Sequence, residues 1–157
     1  MLRLPLTALI AALATPALAE TPPDYLDDRS TPAQVVASLY NAINRHEYLR
    51  GWTYYSQNFA PDYETFRDGY ADTETVELRL GETTSEGAAG SVHSMVPVAI
   101  RATASDGTQA VFAGCYKLTQ VQPAIQEVPP FRPIQIDSGT LAESDQDFGT
   151  AMGSCAP

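Results

Sequence analysis

Basic residues are scarce in this chain: nine Lys and Arg stand against 19 Asp and Glu, a formal net charge of -10. An acidic surface repels phosphate backbones and anionic lipid headgroups, which sets aside nucleic acid and membrane surfaces as partners. The plain consequence of such a charge is solubility. Histidine occurs only at His46 and His93, and cysteine only at Cys115 and Cys155. No His/Cys/Asp cluster has metal-ligand spacing, and there is neither a Gly-rich phosphate loop nor a serine nucleophile elbow. No metal and no cofactor is therefore expected. Past the first 19 residues, no run is long and apolar enough to span a bilayer. The chain also has no internal repeat.

The opening residues, MLRLPLTALIAALATPALA, carry one early Arg, a Leu/Ala/Ile run and small residues at Ala17 and Ala19. That is the pattern of a secretory signal peptide cleaved after Ala19, and it predicts a periplasmic protein. A membrane anchor is the alternative, but the run is short and bounded by Pro5 and Pro16. No Cys follows the cleavage point, so a lipoprotein is not indicated. Removing 19 of the 157 residues leaves 138, and losing Arg3 takes the charge to -11. This is enough chain for one domain with its own core. Export to an oxidising compartment makes a Cys115–Cys155 disulfide the expected state. It would pin a Gly/Ser/Asp-rich tail and add about 2–4 kcal/mol. A reactive thiol or metal site is the sharper alternative, but neither cysteine has a second ligand-type residue at useful spacing.

The strongest local pattern is Ser91 to Val121. Val92, Val96, Val98, Ile100 and Ala102 share one strand face, as do Phe112, Tyr116 and Leu118. The two apolar faces coincide only if a three-residue loop with left-handed Gly107 pairs Ala104 with Thr108. Val98 then lies across from Gly114, and Ile100 across from Phe112. The opposite face, with His93, Met95, Pro97, Arg101, Val111, Cys115 and Lys117, is mixed, so something covers part of it. Pro97 lacks a ladder donor and marks a bulge or an unpaired position.

Before this hairpin, residues 20–30 read as an acidic, extended lead-in. Ser30 or Thr31 caps a first helix with Pro32 in its first turn, and Val35, Leu39, Ala42, Ile43 and His46 form its apolar stripe. A second helix is predicted over Glu47–Gln57 and a third over Asp62–Asp68, stopped by Gly69. Thr73–Leu80 reads as a strand with Val76, Leu78 and Leu80 inward. GETTSEGAAG reads as a loop, and QPAIQEVPPFRP as a proline-rich connection. Ile134 and Ile136 mark a last strand, and residues 142–157 a tail held by the disulfide. Helices followed by a long antiparallel sheet predict an α+β domain over residues 31–141, with the N-terminal helices packed on a bent sheet.

VVASLYNAINRHEYLRGWTYYS resembles the opening helix pair of the NTF2-like superfamily, the cystatin-like cone shared by ketosteroid-isomerase-like and SnoaL-like proteins. FRDGYADTETVELRLG, GAAGSVHSMVPVAIRA and DGTQAVFAGCYKL resemble exported bacterial members, many without assigned activity. The resemblance spans about Thr31 to Ile136. It implies a conical pocket between helices and sheet, lined here by Tyr40, Trp52, Tyr55, Phe112 and Tyr116. It also implies pairing through the outer sheet face, hence a homodimer.

Isomerases of that superfamily resemble one another in using inward carboxylates with a tyrosine donor. Here Tyr40 is the candidate donor, but the inward faces of the hairpin carry no Asp or Glu. Asp72 and Glu74 share the inward parity of the first strand, which makes Glu74 the candidate base, with His46 the other. Asp137 should point outward. His46 also reads as a residue satisfying a helix terminus, and His93 lies on the outer hairpin face. The aromatic run Tyr48, Trp52, Tyr54, Tyr55, Phe59, Tyr63, Phe66 and Tyr70 reads either as core packing or as the lining of a pocket for an apolar or ring-bearing molecule. The function expected is a non-catalytic small-molecule-binding or accessory module. An isomerase or lyase using the pocket and an interaction protein dimerising through the outer face (Met95, Pro97, Val111, Ala113) are the alternatives.

Overall fold

The computed structural model describes residues 21–155; the expected signal peptide lies outside the described residues. The chain is an α+β protein with an open, five-stranded antiparallel sheet. Helix α1 spans Pro32–Asn44, α2 Tyr48–Trp52 and α3 Tyr63–Asp68. The strands are β1 Thr73–Leu80, β2 Thr84–Ala88, β3 Ser91–Ala104, β4 Gln109–Val121 and β5 Gln135–Glu143. Strand order is β1-β3-β4-β5, with β2 also on β3.

Helix α1 begins where the sequence predicts. The Thr31 hydroxyl accepts the Gln34 N–H at 3.2 Å, and Pro32 occupies the first turn, where its missing donor costs nothing. Its buried surface is wider than one stripe, including Val36, Ser38 and Tyr40, because a second element lies along it. The lead-in is extended, and side chains of the first two helices bind its backbone. Ser38 Oγ accepts the Asp28 N–H at 2.8 Å, Asn41 Nδ2 donates to the Asp24 carbonyl at 2.8 Å, and Arg50 donates to the Leu26 carbonyl at 2.7 Å.

Helix α2 stops at Trp52, five residues short of the predicted end. The strand edge takes the backbone instead: Ile136 donates to the Tyr54 carbonyl at 2.8 Å, and Ser56 donates to Ile136 at 2.9 Å. Local propensity favoured helix, and pairing with β5 outweighed it. Helix α3 starts one residue inside the predicted range, with Asp62 as its N-cap accepting the Thr65 N–H at 3.1 Å. Gly69 keeps a right-handed φ of -62°, so its freedom is not what ends the helix.

The β3–β4 register is the predicted one, with Val98 opposite Gly114 and Ile100 opposite Phe112. Gly107 has φ 84°, and Ala104 donates to Thr108 at 2.9 Å. Asp106 accepts from both the N–H and the hydroxyl of Thr108, which tightens the turn. The Pro97 irregularity also appears. On β3, β1 pairing ends at Val98 and β2 pairing resumes at Met95. Gly81 donates to the Pro97 carbonyl at 2.8 Å. A strand residue turns its N and C=O to the same side, so the donor Pro97 lacks faces this broken edge and spares the β4 ladder.

Two sequence readings need correction. GETTSEGAAG contains β2, which the text pattern hid because every residue of Thr84–Ala88 is exposed and none alternates in polarity. Its turn into β3 uses Ala89 (φ 45°) and Gly90 (φ 85°). The last strand, marked in the sequence only by Ile134 and Ile136, runs from Gln135 to Glu143, across the expected domain–tail boundary at 141/142.

The core joins α1 (Val35, Val36, Leu39, Ile43) to the inward residues Val96, Val98, Leu118 and Ile136, all at most 1% exposed. Part of the other sheet face is covered by the C-terminal tail, while His93 and Lys117 on it stay exposed. Cys155 is bonded to Cys115, as expected from export. Gly153 donates to the Val98 carbonyl at 3.0 Å. Arg79 donates to the carbonyls of Phe148 and Ala151 at 2.7 and 2.8 Å, and Arg101 stacks 5.0 Å from the Phe148 ring centroid. Beneath this tail Ala99 is fully buried.

Candidate ligand chamber

Between the helices and the inward sheet face lies a chamber of about 660 Å³. That size falls in the range of small-molecule sites. Val76, Ile100, Phe112 and Leu141 supply apolar wall from β1, β3, β4 and β5, and α3 with its flanking turns adds Phe66 and Tyr70. The exposed lining residues Asp68, Asp72, Thr108 and Gln109 mark the opening.

The base is phenolic. Tyr40 from α1 and Tyr116 from β4 are 2% and 3% exposed, and their hydroxyls lie 2.8 Å apart. Their rings meet edge to face at 6.2 Å. Tyr116 fits because its partner across the ladder is Gly139: a Cβ there would lie 2.4 Å from the Tyr116 ring. Burial is the main cause that pushes the Tyr40 and Tyr116 phenols well above 10.0, and the Tyr55 phenol to about 12. Tyr70 moves upward for the same reason. These groups are neutral hydrogen-bond donors and acceptors at physiological pH, not phenolates. In the Tyr40–Tyr116 pair one O–H hydrogen is spent on the other oxygen, and the second is left to point elsewhere.

Four of the five residues expected to line the pocket do so: Tyr40, Tyr55, Phe112 and Tyr116. Trp52 does not. Its indole N–H donates to the Pro61 carbonyl at 2.8 Å and its ring packs on Tyr63, so it holds the α2–α3 connection.

The candidate catalytic residues are not brought together. Tyr40 is at the chamber base, whereas His46 and Glu74 line a separate cleft beside Arg45 and Glu77. The parity argument for Glu74 fails at a bulge: the β1–β3 register shifts between Thr73 and Thr75, leaving Glu74 as the extra residue. Thr73 therefore lines the chamber and Glu74 is exposed. His46 stands past the end of α1 at φ 55°, its N–H donating to Ile43 at 2.8 Å.

His93 is on the tail-side face as expected, and there it has a partner that sequence separation concealed. Thr119 donates to Asp137 at 2.5 Å, and His93 Nδ1 lies 2.9 Å from the same Thr119 oxygen. Leu141 was missed because the last strand was ended too early. Gly139, flanked by Ser138 and Thr140, was the readable sign that a ring crosses there.

Among the described residues no group of three or more His, Cys, Asp or Glu could hold a metal ion, and no helix is long and apolar enough to cross a membrane. Compared with known proteins, the chain matches no family model, no curated protein and no solved structure.

Proposed function

We propose that the chain is an exported NTF2-like domain that binds a neutral, largely apolar small molecule in the chamber and does no chemistry on it. The observation that carries this reading is the buried Tyr40–Tyr116 pair at the base of a chamber with apolar walls and a polar opening. Such a base offers one spare phenolic O–H to a carbonyl or ether oxygen, and its neutrality favours an uncharged ligand. The carboxylates of Asp68 and Asp72 at the opening disfavour anions. The isomerase or lyase alternative needs a base beside Tyr40, and neither Glu74 nor His46 lines that space. The dimer alternative needs an outer face free for a partner, and the chain's own tail lies on the Pro97–Ala99 region of it. The disulfide is in keeping with an exported protein.

Native mass spectrometry of protein purified from an exporting host tests the reading. A reproducible extra mass is expected on the parent chain and not on Ala102→Trp, which fills the chamber from its wall. An adduct that survives that substitution, or a folded parent that carries none and takes up no neutral apolar probe such as Nile red, overturns it.

A further inference from the structure

The described residues line four clefts of note, and three of them contain carboxylates: Asp68 and Asp72 in the chamber, Glu74 and Glu77 beside His46, Glu86 and Asp137 beside His93. The fourth, about 380 Å³, has none. One wall is the turn after α2, with Ser56, Gln57 and Asn58. The other is the proline-rich segment 128–133, which brings Arg132. In a chain of net charge -10, a cleft with a guanidinium and no acid stands apart.

Arg132 is also apart from the other arginines. Among the described residues, Arg29, Arg45, Arg50, Arg67 and Arg101 make ion pairs, and Arg79 is bound to two carbonyls. Among the arginines of the described residues, only the Arg132 guanidinium has no acceptor. Its backbone is nevertheless held in place: the Gln126 side chain accepts the Arg132 N–H at 2.8 Å and donates to the carbonyls of Arg132 and Val121 at 2.9 and 3.0 Å. Ser56 stands on the facing wall. Ser56 Oγ is buried and is the side-chain polar atom that, among the described residues, is left without a partner. A buried hydroxyl in that state costs stability unless something completes it. The segment also exposes Val128 (78%) and Phe131 (61%) beside these polar groups.

We infer that this cleft is a second ligand site, distinct from the chamber, for a small monocarboxylate with an aromatic or branched apolar body. The guanidinium takes the carboxylate through paired N–H bonds. The amides of Gln57, Asn58 and Gln135 meet the remaining polar atoms. Phe131, Val128 and the prolines cover the apolar body. Repulsion from the acidic surface does not forbid this, because at physiological salt it is screened beyond about 8 Å.

Phenylacetate and its uncharged isostere phenylacetamide, added separately to isotope-labelled protein and followed by amide NMR, test the inference. Phenylacetate is expected to shift residues 56–58 and 126–135 saturably, with phenylacetamide at least about tenfold weaker. Arg132 is exposed, so Arg132→Gln should leave the spectrum folded and abolish the preference for the acid. Equal shifts from acid and amide, shifts confined to chamber residues such as Tyr55 and Phe112, or a preference that persists in Arg132→Gln would each overturn it. Failure here leaves the chamber reading untouched, since the Ala102→Trp test does not involve this cleft.

Discussion

The two faces of the sheet are covered in different ways. On the helix side the cover is made of side chains reaching in from three helices, and large rings cannot close every gap, so a chamber remains. On the tail side the cover is backbone laid flat. Gly153 sits so close over Gly114 that a Cβ on it would lie 1.8 Å from the Gly114 carbonyl oxygen. Ala99 beneath is sealed. Apolar residues packed by rings leave room for a ligand; where backbone lies on Gly114 and Ala99 there is none, and the cleft on that face lies beside the tail, around His93. The helix side holds the chamber, and the tail side holds the segment that carries Gly153 and Cys155.

The largest expected effect breaks the tail side. Replacing both Cys115 and Cys155 by Ser removes a cross-link between positions 40 residues apart, worth about 4 kcal/mol from loop-closure entropy. Urea unfolding should show this loss in the midpoint. If the faces are independent, ligand retention by the chamber should survive in the folded fraction; its disappearance would show that the tail supports the chamber walls. Gly153→Val comes next. The clash is with backbone, so the tail has to lift, at about 3 kcal/mol. The disulfide should then become faster to reduce. A variant as stable and as slowly reduced as the parent would mean that the bond alone holds the tail.

On the helix side the expected effect is smaller. Tyr116→Phe leaves the buried Tyr40 hydroxyl without its partner and should cost about 1.5 kcal/mol in the same unfolding experiment. The tyrosines also set a pH limit. Their folded-state values are raised above 10.0, so the native state holds these protons more tightly than the unfolded chain does. Stability is therefore full below pH 10.0 and falls as pH rises, through about 12 for Tyr55. Near-ultraviolet absorbance should show part of the tyrosine population failing to ionise until the protein unfolds. A single titration near pH 10.0 with the fold intact would contradict the buried phenolic base.

This contrast explains what the sequence made readable. The apolar alternation of β3 and β4, with Gly107 at the turn, determined the register, because a slip would have turned Val98 and Ile100 to the wrong face. Four chamber residues, Tyr40, Tyr55, Phe112 and Tyr116, came from the pocket that the resemblance implied. What stayed hidden was carried by contacts of long sequence separation. The bulge that turned Glu74 outward depends on its pairing with β3, and the early end of α2 depends on Ile136. β2 and the tail lack an alternating apolar pattern, and their placement is specified by what they lie against, which periodicity does not record. The Arg132 cleft was invisible for the same reason, since Ser56 and Arg132 are far apart in the chain.

The smallest effect concerns the polar strip beside the tail. Thr119 donates its hydroxyl proton to Asp137, so the same oxygen can only accept from His93, which fixes the proton of a neutral imidazole on Nδ1. His93 is exposed, and Thr119→Val should change stability by no more than about 0.5 kcal/mol. The informative readout is the ring itself. Nitrogen NMR of the neutral imidazole should report the Nδ1–H form in the parent and a shift toward the ordinary tautomer mixture in Thr119→Val. An unchanged tautomer would mean that Thr119 does not orient His93. A stability loss as large as that of Tyr116→Phe would instead make the strip part of what holds the sheet, and the two faces less different than their covers suggest.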